Sequence, residues 1–240
     1  MNIQILQLIE GAKAAKGLTV IIDVFRAMTV EAYVIQNGAA DLIPMGSIEQ
    51  AYDYRDAHPG TILMGERGGA KCPGFDFGNS PSQVKDFDFT GKTVVHTTSA
   101  GTQGIVNAAH ASEIITGSLV NAAAVAAYIA KRQPEQVSLV CMGNAGIAPA
   151  QEDELCAAYI ESLLRGEPME DIAQRFAAGR RRTLFRPRPP AHLPGGGFPF
   201  LHPPGCVSLC PSGGEGCAGL FLPQDRSVNG LYAGAARSVI

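Results

Sequence analysis

Short apolar runs that alternate with helical patterns are the feature that most limits what this chain can fold into. The run LTVIIDVF at 18–25 is rich in β-branched residues and predicts a buried strand. Similar runs predict five more strands, which begin near residues 41, 61, 92, 113 and 136. Because helical patterns separate these runs, the sequence predicts an α/β fold with a mostly parallel or mixed sheet and helices on both faces.

Capping residues mark the ends of several predicted helices. Gly38 suits the position just after a helix, and Ser47 with Gln50 has the spacing of a capping box. Asn121 is expected to cap another helix, and a last helix at 152–166 carries acidic residues in its first turn. Ligands of parallel α/β sheets bind beyond the carboxyl ends of the strands, so the candidate site lies there.

The composition narrows the class of protein. The chain of 240 residues is 46% hydrophobic and carries a formal net charge of −3, which argues against a nucleic-acid partner. No apolar run approaches the roughly 20 residues that span a bilayer, and the N-terminus lacks the pattern of a secretory signal. We therefore expect a cytoplasmic protein with no membrane partner, which could form a homo-oligomer.

The six cysteines fall into two groups. Three are spread through the first part of the chain and are expected to be reduced, mostly buried thiols: Cys72, Cys141 and Cys156. The other three lie close to His202 in the last part: Cys206, Cys210 and Cys217. A zinc site is one interpretation of this second group, but its spacing matches no common zinc-binding motif.

Two acid–arginine pairs occur at predicted strand ends: Asp23 with Arg26, and Glu66 with Arg67. A carboxylate among apolar residues is costly unless it is paired or coordinated. One interpretation is an ion pair between Asp23 and Arg26 that only shapes the turn. The other is a metal-binding carboxylate beside an arginine that binds an anion. The second pair favours this functional interpretation, because a divalent cation needs carboxylates and an anionic substrate attracts arginines.

The segment TTSAGTQG at 97–104 follows a predicted strand and opens a helix. Its small residues, including Gly101, would let backbone N–H groups approach a phosphate at a helix N-terminus. An ordinary strand–helix turn that contains glycine explains the pattern equally well. The segment is not a Walker A loop, because no Gly-Lys-Ser/Thr follows it.

Other phosphatase patterns fit the sequence poorly. Phe25 stands where a haloacid-type enzyme needs a second aspartate, and Gly78 stands where a Cys-x5-Arg motif beginning at Cys72 needs arginine. His96 and His110 are interpreted as packed or surface residues, because neither has a partner histidine at the spacing of metal ligands.

Six segments in order resemble those of the 2-phosphosulfolactate phosphatase (ComB-like) family: VIIDVFRAMTV, GERGG, GFDFGNSP, GKTVVHTTSAGT, GSLVNAAAVA and CMGNAG with QEDELCAAYI. Together they cover the chain from about residue 18 to about residue 166. Members of this family are magnesium-dependent enzymes that remove phosphate from 2-phospho-3-sulfolactate, a step towards coenzyme M. The resemblance therefore implies a phosphoric monoester hydrolase with Mg²⁺ as cofactor and a small anionic phosphorylated substrate.

The resemblance also implies roles for individual residues. The candidate metal ligands are Asp23 and Glu66, with Asp76 and Asp153 as additions. The candidate catalytic residues are Asp23, Arg26, Glu66 and Asp153. The candidate substrate-binding residues are Arg26, Arg67, Asn79, Ser80, Thr97, Thr98, Gly101 and Thr102. In the implied chemistry, Mg²⁺ neutralises the charge that develops as water attacks phosphorus, and a carboxylate positions the water.

One segment departs from the pattern of the family. The family usually has the residues TTTNGT in the turn, whereas this chain has TTSAGT at 97–102. Ser99 keeps a hydroxyl group, but Ala100 removes an amide side chain. If that amide binds substrate in the family, the affinity or the choice of substrate would differ here.

The last part of the chain differs from what the family resemblance leads us to expect. The segment TLFRPRPPAHLPGGGFPFLHPPG at 183–205 is rich in proline and glycine and lacks apolar periodicity. An allowed choice of codons, read one nucleotide on, gives FFDPAPQPIFPEEDFHFCTRP, which resembles the usual family ending. We therefore expect an α/β body at 1–179 and an irregular tail at 180–240 that results from a frameshift. The other interpretation is a genuine Pro/Gly-rich disordered tail.

We expect this chain to hydrolyse 2-phospho-3-sulfolactate. Two alternatives stay open at this point: a phosphatase that acts on a related phosphorylated 2-hydroxy acid, and a non-catalytic member of the family that only binds anions.

Overall fold

In a computed structural model of this chain, the structure describes residues 1–167, 169, 171–172 and 174–175. The tail predicted at 180–240, with its cysteines, lies outside the described residues, as does the predicted boundary at residue 179. The division into a body and an irregular tail therefore stays a prediction.

Eight strands and seven helices make up the described part of the chain. They follow in this order: β1 (Asn2–Gln7), α1 (Leu8–Ala14), β2 (Gly17–Ile22), α2 (Ala27–Gln36), β3 (Asp41–Pro44), α3 (Ile48–Ala57), β4 (Ile62–Arg67), β5 (Ala70–Lys71), α4 (Pro81–Val84), β6 (Thr93–Thr97), α5 (Gly101–Asn107), β7 (Ala111–Gly117), α6 (Ala122–Arg132), β8 (Gln136–Cys141) and α7 (Gln151–Arg165). All six predicted strands are present, as β2, β3, β4, β6, β7 and β8. The elements that the sequence did not predict are β1, α1, β5 and α4.

The strands form two sheets within the described residues, where the sequence patterns suggested one. The first sheet has the order β1-β8-β2-β7, and all its neighbouring strands run parallel. The second has the order β3-β6-β4-β5, in which only the short strand β5 runs antiparallel to its neighbour β4. The prediction of an α/β fold with a mostly parallel or mixed arrangement is confirmed.

Both faces of the first sheet are buried, as the apolar composition of β2 predicts. Val20 and Ile22 on one face pack with residues of α6 and α7, including Ile129 and Ile160. Ile21 on the other face packs with residues of α1 and α5. Alternate residues of the same strand therefore contribute to two separate cores.

The second sheet is also covered on both faces. On one face, Met64 of β4 and Val94 of β6 pack with Val30 of α2 in one cluster. On the other face, Leu63 and Val95 are packed in a cluster with residues of α3. Helices thus cover both faces of both sheets, as predicted.

The capping predictions hold at two of three positions. The Ser47 hydroxyl accepts a hydrogen bond from the backbone N–H of Gln50 at the start of α3. Gly38 follows α2 with a φ of +92°, the left-handed conformation that favours glycine. Asn121 precedes α6, but its Oδ1 accepts from the backbone N–H of Ser118 and its Nδ2 donates to the Thr116 carbonyl. The Asn121 side chain therefore stabilises the turn before the helix and makes no hydrogen bond to the helix itself.

The described cysteines agree with the sequence prediction. Cys72, Cys141 and Cys156 are buried and make no disulfide. Burial raises the pKa of the Cys141 and Cys156 thiols, and the nearby Asp153 raises it further. These thiols are therefore protonated and unreactive. Among the described residues, no helix is long and apolar enough to cross a membrane.

Gly65 provides a test of how closely β4 and β6 pack. Its φ is +148°, and a Cβ added there would lie 2.0 Å from the carbonyl oxygen of Thr97. We expect Gly65→Ala to lower the free energy of unfolding by about 3 kcal/mol or more, measured by urea unfolding. The matched control is Gly60→Ala, because Gly60 also has a positive φ but has no atom within 4 Å of the added Cβ. This control should cost about 1 kcal/mol, and equal losses in the two variants would contradict the packing explanation.

Candidate active site

Strands from both sheets end at the same place. Asp23 follows β2 of the first sheet, whereas Glu66 lies near the end of β4 and Ser99 just after β6 in the second. Glu66 accepts hydrogen bonds from Ser99, and its charge affects the titration of Asp23. The two acidic strand ends that the sequence singled out therefore lie close together.

Asp23 is a buried carboxylate with backbone donors around it. Its Oδ1 accepts from the backbone N–H of Ala27 at 3.2 Å, and the backbone N–H of Gly101 lies close enough to lower the pKa of the carboxyl group. Burial raises the pKa of Asp23 to about 6, and the negative charge of Glu66 adds to that rise. A site that raises the pKa of an acid in this way favours either a proton or a cation next to the carboxylate.

Gly101 allows the start of α5 to approach Asp23 closely. A Cβ added at Gly101 would lie 2.6 Å from Met28 Cε, 2.8 Å from Ala27 Cβ and 3.1 Å from Asp23 Oδ2. A larger residue at this position would therefore displace the carboxylate or the helix. The structure therefore requires a glycine at position 101 for steric reasons. The predicted role of Gly101 in binding substrate stays a prediction.

Glu66 joins two turns through its carboxylate. Its Oε1 accepts from the backbone N–H of Ser99 at 2.7 Å, and its Oε2 accepts from the Ser99 hydroxyl at 3.1 Å. Oε2 also accepts from the backbone N–H of Gly69 at 2.7 Å. The Ser99 hydroxyl in turn accepts from the backbone N–H of Gly68. Ser99 is thus a site residue whose role the sequence did not reveal, because its partner Glu66 lies on another strand.

Asp153 connects the ends of two strands of the first sheet. It lies in the first turn of α7 and is buried, and its two oxygens accept from the backbone N–H groups of Val24 and Gly143, each at 2.8 Å. Burial raises the pKa of Asp153 to about 8, and the charge of Asp23 contributes to the rise. Asp153 is therefore part of the same cluster of carboxylates, and it holds the segments that follow β2 and β8.

Arg67 is held in place by three acceptors. Nη1 donates to the backbone carbonyl of Glu66, and Nη2 donates to the Gly46 carbonyl and to the Thr97 hydroxyl, at distances of 2.7–2.8 Å. Arg26 lies half-buried just before α2, three residues after Asp23. Both arginines are thus next to the acidic strand ends, and their roles in binding substrate stay predictions.

The threonine turn stabilises itself. The Thr98 hydroxyl accepts from the backbone N–H of Thr102, and the Thr102 hydroxyl accepts from the backbone N–H of Thr98. Both side chains are buried. These hydroxyls are engaged within the turn, and that of Thr97 is engaged with Arg67. The structure therefore gives the three threonines a part in shaping the site, while contact with substrate stays a prediction.

Asn79 and Ser80 follow a segment that runs alongside β4. Phe77 forms a parallel bridge with Met64, so the chain beyond it lies next to the last residues of β4. Asn79 is buried, and its Oδ1 has no hydrogen-bond partner in the part of the chain that the structure describes. Ser80 contacts the hydroxyl of Ser82. An unpaired buried acceptor of this kind is costly unless a water molecule or a ligand satisfies it.

Asp76 lies apart from the other carboxylates. It is exposed, and its Oδ2 accepts from the backbone N–H of Leu63 at 2.8 Å. Leu63 precedes Glu66 by three residues along β4, which corresponds to roughly 10 Å in a strand. The structure therefore does not bring Asp76 together with Asp23 and Glu66.

The residues at this site suit Mg²⁺. Among the described residues, no three His, Cys, Asp or Glu side chains are grouped so that they could hold a metal by themselves. However, Mg²⁺ is usually bound through one or two carboxylates, with water and substrate phosphate oxygens completing its shell. Asp23, Glu66 and the unpaired Asn79 Oδ1 offer oxygen atoms of the type it prefers.

Comparison with known proteins decides the family. Residues 3–182 match the family described as 2-phosphosulpholactate phosphatase. The chain belongs to this family. Similar proteins include one from Carboxydothermus hydrogenoformans, 36% identical over 199 residues, which cover 75% of this chain and 83% of that protein. One from Deinococcus radiodurans is 36% identical over 167 residues, covering 69% and 70% of the two chains.

A third relative, from Thermotoga maritima, is 35% identical over 148 residues, which cover 62% of this chain and 63% of that protein. All three relatives are named probable 2-phosphosulfolactate phosphatase. The resemblance seen in the sequence is confirmed, and the names agree with the expected class of enzyme, a phosphoric monoester hydrolase.

The structure shows the surroundings of Ala100, the residue at which this chain departs from the usual turn of the family. Ala100 is the residue before α5, is buried, and belongs to an apolar cluster with Met28 and Ile105. An amide side chain at this position would enter an apolar environment. Alanine therefore fits the packing at this position. Its effect on substrate binding stays a prediction.

Ala100→Asn tests this packing directly. We expect a loss of about 2–4 kcal/mol in the free energy of unfolding, because the added atoms overpack the cluster and the amide loses hydrogen bonds to water. Urea unfolding would measure it, with Ala109→Asn at an exposed position as the control, which should change stability by less than about 0.5 kcal/mol. Full stability of Ala100→Asn would mean that the site has room and a partner for the amide.

The buried carboxylates predict how stability depends on pH. The pKa values of Asp23 and Asp153, about 6 and about 8, lie above the ordinary value of 3.8, so the folded state binds these protons more tightly than the unfolded state. The stabilisation is complete below about pH 4 and is lost as the pH rises through about 6 and then about 8. Without divalent cations, the free energy of unfolding should therefore fall between about pH 5 and about pH 9.

Urea unfolding in the presence of a chelator would measure this pH dependence. Asp153→Asn should show a smaller decrease over the same range, because the variant lacks the group with the higher pKa. A stability that rises with pH, or the same decrease in the variant, would contradict the assignment.

Proposed function

We propose that this protein hydrolyses 2-phospho-3-sulfolactate to 3-sulfolactate and phosphate with Mg²⁺ as cofactor, the reaction type used in coenzyme M biosynthesis. The observation that carries the proposal is the family match over residues 3–182, because the description of that family names a phosphatase of this substrate. The cluster of Asp23, Glu66 and Asp153 beside two arginines supports it, because the cluster has the chemistry needed to bind a cation and a multiply charged anion.

Asp23 and Glu66 would hold the cation in this proposal, with Asn79 Oδ1 as a third oxygen. When bound, Mg²⁺ neutralises negative charge on the oxygens of the phosphoryl group. Asp76 is left out of the proposed shell, because it bonds to the backbone of Leu63, away from Glu66. The metal dependence rests on the chemistry of these side chains.

The arginines would bind the anionic groups of the substrate. Arg67 has a fixed orientation, because three acceptors hold its guanidinium, and it lies beside Glu66. This position suits an oxygen of the transferred phosphoryl group. Arg26 would bind the carboxylate or sulfonate of the substrate, and the side chains of Asn79 and Ser80 could hydrogen-bond to oxygen-rich groups.

A water molecule would attack phosphorus, and the bond between phosphorus and the ester oxygen would break. The ester oxygen leaves and takes up the proton that the attacking water releases, which gives 3-sulfolactate with a free 2-hydroxyl group and inorganic phosphate. A carboxylate in the cluster would position the water. Asp153 would hold the backbone that follows Asp23 and the backbone that follows β8. The reaction is expected to take place in the cytoplasm, and a homo-oligomer remains part of the proposal.

A related phosphorylated 2-hydroxy acid is the second candidate substrate. Ala100 favours this candidate, since this chain lacks the amide that the family usually has in the turn. A non-catalytic role in binding anions is the third candidate. Phosphate release from a panel of phosphorylated 2-hydroxy acids, with and without chelator, separates the three. Binding of phosphosulfolactate without release of phosphate would favour the non-catalytic role.

Substitution of the two proposed metal ligands tests the mechanism. Asp23→Asn and Glu66→Gln should each lower kcat/KM for phosphosulfolactate by about a hundredfold or more, because each removes a charged ligand. Asp76→Asn is the matched control and should keep near-normal activity, since Asp76 lies apart from the cluster. Circular dichroism would check that all three variants fold. Near-normal activity of both ligand variants would rule out the assignment, and a large loss in Asp76→Asn would restore Asp76 to the metal shell.

A further inference from the structure

The hairpin of β4 and β5 carries a lysine that the proposed function does not use. Lys71 on β5 is the register partner of Glu66 on β4, and Lys71 is exposed. Directly opposed residues of an antiparallel pair lie on the same face, with their Cβ atoms roughly 5 Å apart. Lys71 therefore lies on the same face as the carboxylate of Glu66, beside one of the two proposed metal ligands.

The ammonium group of Lys71 is not paired with this carboxylate. Both oxygens of Glu66 are bonded to other donors, which are the backbone N–H and hydroxyl of Ser99 and the backbone N–H of Gly69. Among the described residues, the Lys71 ammonium group makes neither an ion pair nor a hydrogen bond. Its charge is therefore available to an anion that enters the site from solvent.

The backbone that carries Lys71 is held against the site. Gly69 in the turn of the hairpin donates its N–H to Glu66 Oε2 at 2.7 Å, and Gly68 donates its N–H to the Ser99 hydroxyl at 3.1 Å. The hairpin is thus tied both to the strand end at Glu66 and to the turn at Ser99. Only the side chain of Lys71 needs to move to meet a ligand.

On its other side, Lys71 borders the segment that contains Asn79. A Cβ added at Gly78 would lie 3.4 Å from the Cβ of Lys71, so these two residues are neighbours. The backbone N–H of Gly78 donates to Gln83 Oε1 at 2.7 Å, which holds this segment in place. Lys71 therefore lies between the strand end at Glu66 and the residue before Asn79, and its flexible side chain can reach towards either.

An exposed lysine on an edge strand also has a simpler explanation. β5 is the last strand in the order of the second sheet, and lysines on such strands prevent pairing with another chain. A lysine in place of Ala70, the other residue of β5, would protect the edge equally well, but its side chain would lie on the opposite face. Protection of the edge therefore does not explain why the lysine lies on the face of the Glu66 carboxylate.

The proposed substrate has one acidic group more than the proposed contacts satisfy. 2-Phospho-3-sulfolactate carries a carboxylate and a sulfonate besides its phosphate. In the proposed function, Mg²⁺ and Arg67 meet the phosphoryl group, and Arg26 meets one of the other two acids. An acidic group that leaves water without a partner is costly, so the third group needs a cation of its own.

We propose that Lys71 is a substrate-binding residue, whose ammonium group pairs with the carboxylate or sulfonate that Arg26 does not bind. The inference rests on the proposed function for the identity of the substrate. Because this acidic group does not react, the pairing is the same before and during the chemical step. Lys71 therefore contributes to the affinity for substrate and not to the rate of that step.

Binding of 3-sulfolactate, the product that keeps both of these acidic groups, tests the inference apart from turnover. Isothermal titration calorimetry on the full-length protein with Mg²⁺ should show about tenfold weaker binding to Lys71→Gln than to the wild type, because a charge-assisted contact is lost. Lys71→Arg keeps the charge and should recover most of the affinity. The difference between the wild type and Lys71→Gln should shrink at about 0.5 M salt, because salt screens an exposed ion pair.

Lys92→Gln is the matched control. Lys92 is also exposed, but it comes just before β6, at the end of that strand away from Ser99. This variant should bind sulfolactate as the wild type does. Equal affinity of the wild type and Lys71→Gln, or an equal loss in Lys92→Gln, would overturn the inference and leave Lys71 as an edge-strand lysine. A wild type that binds no sulfolactate would overturn it as well.

Steady-state kinetics identify the acidic group that Lys71 binds. Lys71→Gln should raise KM for phosphosulfolactate about tenfold and leave kcat nearly unchanged. Two simpler substrates separate the acids: 2-phospholactate lacks the sulfonate, and phosphorylated 2-hydroxyethanesulfonate lacks the carboxylate. KM should rise only for the one that keeps the bound group. Equal increases for both would place Lys71 at the phosphoryl group and overturn the inference.

The two measurements distinguish this inference from the proposed function. If the wild type releases no phosphate from any of the three compounds, the proposed function fails, while weaker sulfolactate binding by Lys71→Gln still supports the inference. If the wild type releases phosphate and Lys71→Gln keeps both the KM and the sulfolactate affinity of the wild type, only the inference fails.

Discussion

Three carboxylates of like charge lie buried near one another where the strands end: Asp23, Glu66 and Asp153. Like charges in a poorly solvated environment repel strongly, so a fold can keep them together only by supplying hydrogen-bond donors, protons or a cation. This chain supplies backbone donors from the segments around the site: Ala27, Gly101, Ser99, Gly69, Val24 and Gly143. The buried carboxylates therefore depend on the arrangement of these turns, because the turns supply their hydrogen-bond donors.

The same hydrogen bonds connect the two sheets. Glu66 lies at the end of a strand of the second sheet and accepts hydrogen bonds from Ser99 in the turn before α5. Gly101, two residues after Ser99, lies next to the carboxylate of Asp23 at the end of a strand of the first sheet. The glycine is required because its neighbours leave no space for a Cβ. A change at any of these positions would alter the distance between Asp23 and Glu66, so sheet packing and the geometry of the candidate site depend on each other.

The sequence predicted much of this architecture and part of the site. Buried strands such as β2 were predictable because their apolar, β-branched runs bury both faces. Strand β1 was not, because it lies at a sheet edge, is half-exposed and carries glutamines. Asp23 and Glu66 stood out as charges at strand ends. Ser99 did not, because its partner Glu66 lies 33 residues away in the chain. Such pairings depend on topology, which local patterns do not contain.

The difference in bonding among the carboxylates indicates how they divide their roles. Each oxygen of Asp153 accepts a backbone N–H, and Glu66 already accepts three hydrogen bonds. Asp23 and Asp153 both have raised pKa values although backbone donors oppose the rise, so neither negative charge is fully compensated. Asp23 is the one of the two whose pKa the charge of Glu66 also raises. A divalent cation at Asp23 would supply the missing compensation, and it would displace a proton in doing so. Under the proposed function, Mg²⁺ and protons therefore compete at Asp23. Glu66 would share the cation while it also holds the turn at Ser99, and Asp153 keeps the backbone after Asp23 in place.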